Sequence, residues 1–337
     1  MKICAIILSA GKSRRFKSSI PKFIHNLSGQ PIIDYNINLI KKINKINKFE
    51  IITNKENFEY FNNRGYSPFI QNPIDGTGGA IKQFYKRHKK YDYYLVMLSD
   101  TPVFDYKVIN NFLNHSLKKN SDISVLSQNI LNPKGYGRLI FNKKKLIKII
   151  EENECDNLQK KINLINTGIF LISKKAMDNI GLLKKNSSKK EYYITDLINI
   201  CNKKNLNLTT FVNTGLPIKG INNLKELNDL EILSQNFIKN KLMESGVRIY
   251  QPETVYIEND VSIEGGVILE PNVIIRKGVK IKKDTIIKSF SYLEDCKIGK
   301  NCSIGPFARV RPSSDLKDQV KIGNFVEIKK SNIDKNS

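Results

Sequence analysis

Residues 257–293 read IENDVSIEGGVILEPNVIIRKGVKIKKDTIIKSFSYL. Aliphatic residues recur in it every six positions, at Ile257, Ile263, Leu269, Ile275, Ile281, Ile287 and Leu293. After one deletion the beat resumes at Ile298, Ile304, Val310, Leu316, Ile322 and Ile328. Four positions after most of these stands a small or β-branched residue, such as Val261, Val267, Val273, Val279, Thr285, Ala308 or Val326. A hexad with one inward aliphatic residue marks a parallel β-helix, in which each short strand forms one side of a coil. Chance alternation can imitate two or three hexads, but not thirteen with a single slip.

Just before the hexads, residues 223–245 carry a longer amphipathic pattern through Leu227, Leu230, Leu233, Phe237 and Leu242. It stops at Gly246, which suits the position after a helix end, so a connecting helix is expected. The first 225 residues instead alternate short apolar runs with helical patterns. Ile3–Leu8, Glu50–Thr53, Tyr94–Leu98 and Ile123–Ser127 read as buried strands. Pro31 opens a helix with Ile32, Ile33, Ile37, Ile40 and Ile43 on one face, and Ile81–Arg87 and Lys107–Leu117 are further helices. This alternation predicts an α/β domain with a mostly parallel sheet covered on both sides. Three regions follow: 1–225, a connecting helix at 226–248, and hexads over 249–337.

Ligands of such sheets sit at the carboxyl ends of strands. The segment after the first strand, LSAGKSRRFKSSIPK at 8–22, packs Ser9, Ala10, Gly11 and Ser13 against Lys12, Arg14, Arg15, Lys17 and Lys22. Small residues let backbone N–H groups approach a ligand, and the cations suit a polyanion such as a nucleoside triphosphate. The segment fits neither a P-loop nor a G-x-G-x-x-G fingerprint. Ser99–Thr101 falls at a second strand end.

The net charge of +24 comes from lysines spread over the whole chain rather than gathered on one element. With no aromatic-basic RNA signature, this argues for attraction of anionic substrates and against nucleic acid. The five cysteines are scattered and lack C-x-x-C, which points to reduced thiols rather than disulfides or zinc. The apolar start is too short for a membrane span and has no cleavage site. A cytoplasmic protein without stable membrane anchoring is expected.

The whole chain, in order, resembles the bifunctional N-acetylglucosamine-1-phosphate uridyltransferase / glucosamine-1-phosphate acetyltransferase family. The resemblance rests on LSAGKSRRF…PK (8–22), QNPIDGTGGA (71–80), LSDTP (98–102), KGYGR (134–138), IIE (149–151), NTGIF (166–170), EYYITD (191–196), GINN (220–223) and IGPFARVRP (304–312). It implies a Rossmann-like nucleotidyltransferase domain, a connecting helix and a left-handed parallel β-helix of hexapeptide repeats. The implied reaction is Mg²⁺-dependent: N-acetylglucosamine-1-phosphate attacks the α-phosphorus of UTP and pyrophosphate leaves. Its product, UDP-N-acetylglucosamine, is a precursor of cell-wall and envelope polysaccharides. Thymidylyl or other nucleotidyl transfer to another sugar phosphate, and a non-catalytic regulatory relative, are the competing readings.

By the resemblance, Leu8, Ser9, Ala10 and Gly11 lie against the nucleotide through their backbone, while Arg15 and Lys22 stabilise phosphate charge. A surface lysine is more often solvated; Pro21 before Lys22 is part of the family match. Asp100 after Leu98 and Ser99 is either a helix N-cap or, with Asn222, a Mg²⁺ ligand, both offering hard oxygens. Asn222 could equally cap the next helix. Gln71 reads uracil, one amide supplying a donor and an acceptor. Gly76 and Thr77 pass beneath base and ribose, or form a helix-start turn. Gly137, Glu151 and Asn166 match contacts of the N-acetylglucosamine moiety, with Tyr193 and Thr195 lining the same pocket; a helix-surface carboxylate like Glu151 is otherwise usually idle.

Ser13, Arg14 and Phe16 depart from the family's G-x-G-T-R-M loop, and Ser99 replaces a Gly, which bears on nucleotide affinity. In the hexads, Arg311 and Lys329 match sugar-phosphate contacts of the acetyltransferase. The family's general-base histidine falls at a position beyond Ser337, and His25, His88 and His115 all precede the hexads. Acetyl transfer is therefore not expected of these residues, and a shortened reading frame is expected because solenoids normally shield their last repeat. A homotrimer through the β-helix is implied by resemblance.

Overall fold

The computed structural model describes residues 1–11, 16, 18–186 and 190–337. It divides into two units, Met1–His25 with Ile32–Leu224, and Asn26–Pro31 with Lys225–Ser337. The chain runs β1 (Ile3–Ser9), a hairpin of β2 (Asn26–Leu27) and β3 (Gln30–Pro31), α1 (Ile32–Lys41), β4 (Ile46–Thr53), α2 (Phe58–Asn62), β5 (Phe69–Ile70), α3 (Thr77–Tyr85), β6 (Tyr93–Leu98) and α4 (Tyr106–Lys118). It continues through β7 (Ile123–Asn129), β8 (Arg138–Asn142), β9 (Lys145–Ile150), β10 (Leu164–Ser173), α5 (Lys174–Met177), α6 (Asp196–Lys203), β11 (Leu208–Asn213) and α7 (Leu224–Glu244).

In the first unit the strands order as β11-β7-β10-β6-β1-β4-β5. β1 is buried along its whole length, as a central strand covered on both faces must be. Cys4, Ile6 and Leu8 enter one core and Ile3, Ala5 and Ile7 the other. The sheet is mostly rather than wholly parallel: β10 runs antiparallel to both β6 and β7. The β8–β9 hairpin joins β10 through Arg138 and Ile165. Helix α3 starts at Thr77, ahead of the expected Ile81, and α1 ends at Lys41, leaving Ile43 buried beyond it.

In the second unit the hexads become strands β12 (Arg248–Ile249) to β26 (Asn332–Ile333), stacked in three five-stranded parallel sheets. Each aliphatic residue pairs with the one three hexads on: Ile257 with Ile275, Ile275 with Leu293, Leu293 with Val310, Val310 with Ile328. The single deletion is absorbed at Cys296–Ile298, where Ile281 pairs with Ile298 and Ile298 with Leu316. Ile249 and Ile333, off the six-residue spacing, add one strand at each end by pairing with Leu269 and Leu316. Of the small or β-branched corner residues, Val267, Val273, Val279, Thr285 and Val320 are fully buried, whereas Val261 is half-buried and Val326, in a late coil, is exposed.

A first coil would leave backbone groups unpaired, and α7 covers them. Gln235 donates its amide to the Ile257 carbonyl (2.7 Å) and accepts from the Ile257 N–H (3.0 Å), as a further strand would. Lys239, 4% exposed, donates to the Val255 carbonyl at 3.1 Å. Gly246 (φ +92°) ends the helix, and β12 starts two residues later. No helix among the described residues is long and apolar enough to cross a membrane.

Candidate active site

The site grows out of two neighbouring strand ends. β1 and β6 are parallel with Leu8 opposite Leu98, and the Ser99 N–H donates to the Leu8 carbonyl at 3.0 Å. The loops leaving these strands therefore emerge side by side. Between them opens a cleft of about 590 Å³ lined by Leu8, Ser9, Ala10, Gly11, Lys22, Gln71, Gly76, Thr77, Leu98, Ser99, Asp100 and Tyr193. Phe23, Ile74, Ala80 and Glu191 complete the lining. Arg15, with Ser13 and Arg14, lies outside the described residues; Phe16 is buried.

Lys22 opens a short 3₁₀ turn whose next residue, Phe23, is buried and stacked on Phe61 at 5.4 Å. That anchor sets the lysine in the cleft. Its ammonium is ion-paired with the Asp100 carboxylate and donates to the Ile221 carbonyl at 3.2 Å. The Ile221 N–H in turn donates to the Asp100 carbonyl at 3.1 Å, which brings the following residue, Asn222, to the Asp100 turn. Asp100 is not a helix cap: α4 is capped by Asp105, whose side chain accepts from the Lys107 N–H.

Two buried amides that the sequence reading passed over fix this arrangement. Asn36 donates to the Leu98 (2.9 Å) and Thr101 (3.0 Å) carbonyls and accepts from the Val103 N–H (3.1 Å), pinning the turn that carries Asp100. Gln128 donates to the Ile218 carbonyl (2.6 Å) and accepts from its N–H (2.9 Å), pinning the segment that carries Asn222. The available signal was polarity in an apolar setting, since Asn36 sits among the isoleucines of α1.

On the opposite wall, Gln71 is 3% exposed and donates its amide to Asp75 Oδ1 (3.0 Å) and the Gly76 carbonyl (3.1 Å). Its donor side is thus already engaged within the protein. Gly76 has φ +92°, and a Cβ there would stand 2.5 Å from the Tyr192 carbonyl, so backbone rather than ligand excludes a side chain. The Thr77 hydroxyl accepts from the Ile194 N–H at 3.2 Å, and the Tyr192 carbonyl accepts from the Gly78 N–H at 2.8 Å. These bonds tie the start of α3 to the EYYITD segment.

A second group lies together beside β8 and β9, on β10 and at the start of α6. The Asn166 N–H donates to the Gly137 carbonyl at 2.9 Å, and the Thr195 hydroxyl donates to Glu151 Oε1 at 3.0 Å. A Cβ on Gly137 would stand 3.5 Å from Glu151 Oε2 and 2.9 Å from Ile149 Cγ2, so the glycine keeps the two strands close. Tyr193 links this group to the cleft: burial, with Glu191 and Glu151 nearby, pushes its phenol up to about 12. On β8, Arg138, 1% exposed, pairs with Glu152 at 2.6 Å. In the second unit, Arg311 pairs with Glu327 at 3.3 Å and Lys329 is exposed; they follow the paired Val310 and Ile328 on adjacent coils.

A divalent cation fits the donor set. Asp100 and Asn222 offer hard oxygens of the kind such an ion takes. Such an ion would take its remaining ligands from phosphate oxygens and water.

Residues 5–163 match the model of the MobA-like NTP transferase domain, and residues 295–330 match bacterial transferase hexapeptide repeats. The fold is similar to that of a Bacillus anthracis protein described as a glucose-1-phosphate thymidylyltransferase (TM-score 0.58, 22% identity, 69% of this chain and 95% of that one). It is also similar to CMP:2-keto-3-deoxy-manno-octonic acid synthetase (TM-score 0.55, 13% identity, 70% and 100%). Among curated proteins, the bifunctional protein GlmU of Sulfurimonas denitrificans is 35% identical over 76% of this chain and 59% of its own length. GlmU of Thermosipho africanus is 34% identical over 98% and 76%, and that of a Chelativorans strain 36% identical over 98% and 74%. With a third of its residues shared over nearly its whole length, and with both the transferase domain and the hexapeptide coil in place, the chain belongs to the GlmU family and its first unit is a nucleotidyltransferase domain.

Proposed function

We propose that the chain transfers a uridylyl group from UTP to N-acetylglucosamine-1-phosphate, giving UDP-N-acetylglucosamine and pyrophosphate with Mg²⁺. The observation that carries this reading is the grouping of Asp100, Lys22 and the Ile221–Asn222 segment at the mouth of the β1–β6 cleft. In the reaction a sugar-phosphate oxygen forms a bond to the α-phosphorus while the bond to pyrophosphate breaks. Two anions must meet, so the protein has mainly to position them and to supply positive charge.

Leu8–Gly11 and Ser99 border the nucleotide, and Gln71 meets the base. Lys22 neutralises phosphate charge, with Arg15 assigned the same role from sequence. Asp100 and Asn222 would hold the ion, which would offset charge on the phosphate oxygens. Glu151, Thr195, Asn166, Gly137 and Tyr193 receive the N-acetylglucosamine moiety, with Glu151 accepting from a sugar hydroxyl. Lys22 exchanges its bond to Asp100 for one to phosphate as substrate binds; until then each charge compensates the other.

Incubation with UTP, Mg²⁺ and N-acetylglucosamine-1-phosphate tests the reading by release of pyrophosphate and appearance of the sugar nucleotide. Release only with another nucleotide or sugar phosphate would contradict it.

A further inference from the structure

Gln71 is held by a neighbour whose presence the transfer chemistry alone does not require. The two groups facing its Nε2, Asp75 Oδ1 at 3.0 Å and the Gly76 carbonyl oxygen at 3.1 Å, can only accept. The amide NH₂ must therefore point at them, because the reverse orientation would set oxygen against two oxygens. Both amide hydrogens are committed inward. Oε1 is the polar atom that Gln71 has left for the cleft it lines.

Asp75 is itself fixed. Gln83 donates to its Oδ1 at 3.3 Å and to the Pro73 carbonyl at 2.9 Å, and accepts from the Asn72 N–H at 2.9 Å. The carboxylate has room only because residue 79 is glycine. A Cβ there would stand 2.5 Å from Asp75 Cγ and closer still to Oδ1. No other side chain or backbone is among the three nearest atoms it would meet.

We propose that Asp75, seated in the space left by Gly79, is a positioning residue that sets base specificity by locking the Gln71 amide in one orientation. This rests on the uridylyl reading above. A primary amide free to turn is nearly two-fold symmetric in shape. One orientation meets the N3–H of uracil with its oxygen, and the other meets the bare N3 of cytosine with its NH₂. The lock removes the second choice. A base with a ring N–H is accepted, while cytosine places a lone pair against a lone pair, an unpaired buried polar contact. Thymine also carries N3–H, so the lock sorts cytosine from uracil and leaves the methyl group to the shape of the pocket.

The test is the ratio of dissociation constants for CTP and UTP, measured by calorimetry on the full chain with Mg²⁺. Wild type is expected to favour UTP by about tenfold or more, the scale of one unpaired buried polar group. Asp75→Ala removes the acceptor. Gly79→Ala keeps the acidic residue, suits a helix interior, and displaces the carboxylate by volume alone. Both are expected to narrow the ratio by about threefold or more, since the Gly76 carbonyl alone holds the amide less firmly, with folding checked by thermal melting; if one does not fold, the other reads the ratio. A ratio unchanged in a folded variant, or equal affinities in wild type, overturns the lock and leaves the transferase reading standing. Wild type that binds neither nucleotide overturns both.

Discussion

The Ile221 N–H lies 3.1 Å from the Asp100 carbonyl oxygen, joining two residues far apart in sequence at one edge of the β1–β6 cleft. That single backbone bond brings the Asp100 turn and the segment that carries Asn222 together. Lys22 closes the arrangement by meeting the Asp100 carboxylate and the Ile221 carbonyl together.

Asp100→Ala is expected to lower turnover by about a thousandfold or more, the loss of roughly 4 kcal/mol of transition-state stabilisation. The fold should persist, because the turn is held by Asn36 and by backbone bonds rather than by the carboxylate. Pyrophosphate release and melting temperature read the two effects separately. Full activity in the variant would remove Asp100 from the site.

Lys22→Met keeps the stem and deletes the charge. Turnover should fall about a hundredfold, in the range of one lost electrostatic contact to a transferring phosphoryl group. The Mg²⁺ requirement should not rise, since the competing ammonium on Asp100 is gone. A variant with unchanged turnover would leave Lys22 a partner of Asp100 without a phosphate contact.

Gln128→Ala leaves the buried N–H and carbonyl of Ile218 unpaired, at about 1–3 kcal/mol for each. Besides a lower melting temperature, the half-saturating Mg²⁺ concentration should rise several-fold as the Asn222 segment loosens. A drop in melting temperature with unchanged Mg²⁺ dependence would confine Gln128 to stability.

Glu152 gives a pH dependence with a definite sign. Burial alone would raise its carboxyl, but hydrogen bonds from Arg138 and the Gly135 backbone outweigh this and hold it below its ordinary 4.5. A carboxyl depressed in the folded state contributes stability above its unfolded value, lost as pH falls through the folded one. Stability of wild type should therefore decline more steeply below pH 4.5 than that of Glu152→Gln, read by urea unfolding across that range. Arg138→Met, which leaves the partly exposed Glu152 without its partner, should cost about 1–2 kcal/mol at neutral pH.

Ile275 is fully buried and pairs with both Ile257 and Leu293 in the coil. Ile275→Ala should destabilise the second unit by about 2–5 kcal/mol through a cavity that two fixed neighbouring coils cannot fill. Calorimetric melting checks it.

The hexads were legible because the period itself is the structure: each repeated aliphatic residue becomes one inward position, and its pairing partner follows by counting. The strand-end cleft was legible for a similar reason, since Leu8–Gly11 and Leu98–Asp100 end apolar runs that could only be central strands. Less was legible where the outcome depends on tertiary pairing. β10 carries an apolar run like the others, and nothing in it announces that it pairs antiparallel with β6 and β7. The hairpin Asn26–Pro31 reads as part of the first region, yet Ser28 donates its N–H to Glu231 (2.8 Å) and its hydroxyl to Ser234 (2.8 Å), bonds that tie it to α7. Asn36, Gln128 and Asp75 act by hydrogen bonds to residues whose nearness only the folded chain reveals. Two departures, Ser13 and Arg14, fall outside the described residues, and Ser99 is buried with its N–H on Leu8.

The central claim is that this cleft joins UTP to N-acetylglucosamine-1-phosphate. The most direct measurement is phosphorus NMR of the two substrates, Mg²⁺ and the purified chain. The account predicts equal amounts of UDP-N-acetylglucosamine and free pyrophosphate, both abolished in Asp100→Ala. Persistence of both starting signals with a folded, UTP-binding protein would contradict it.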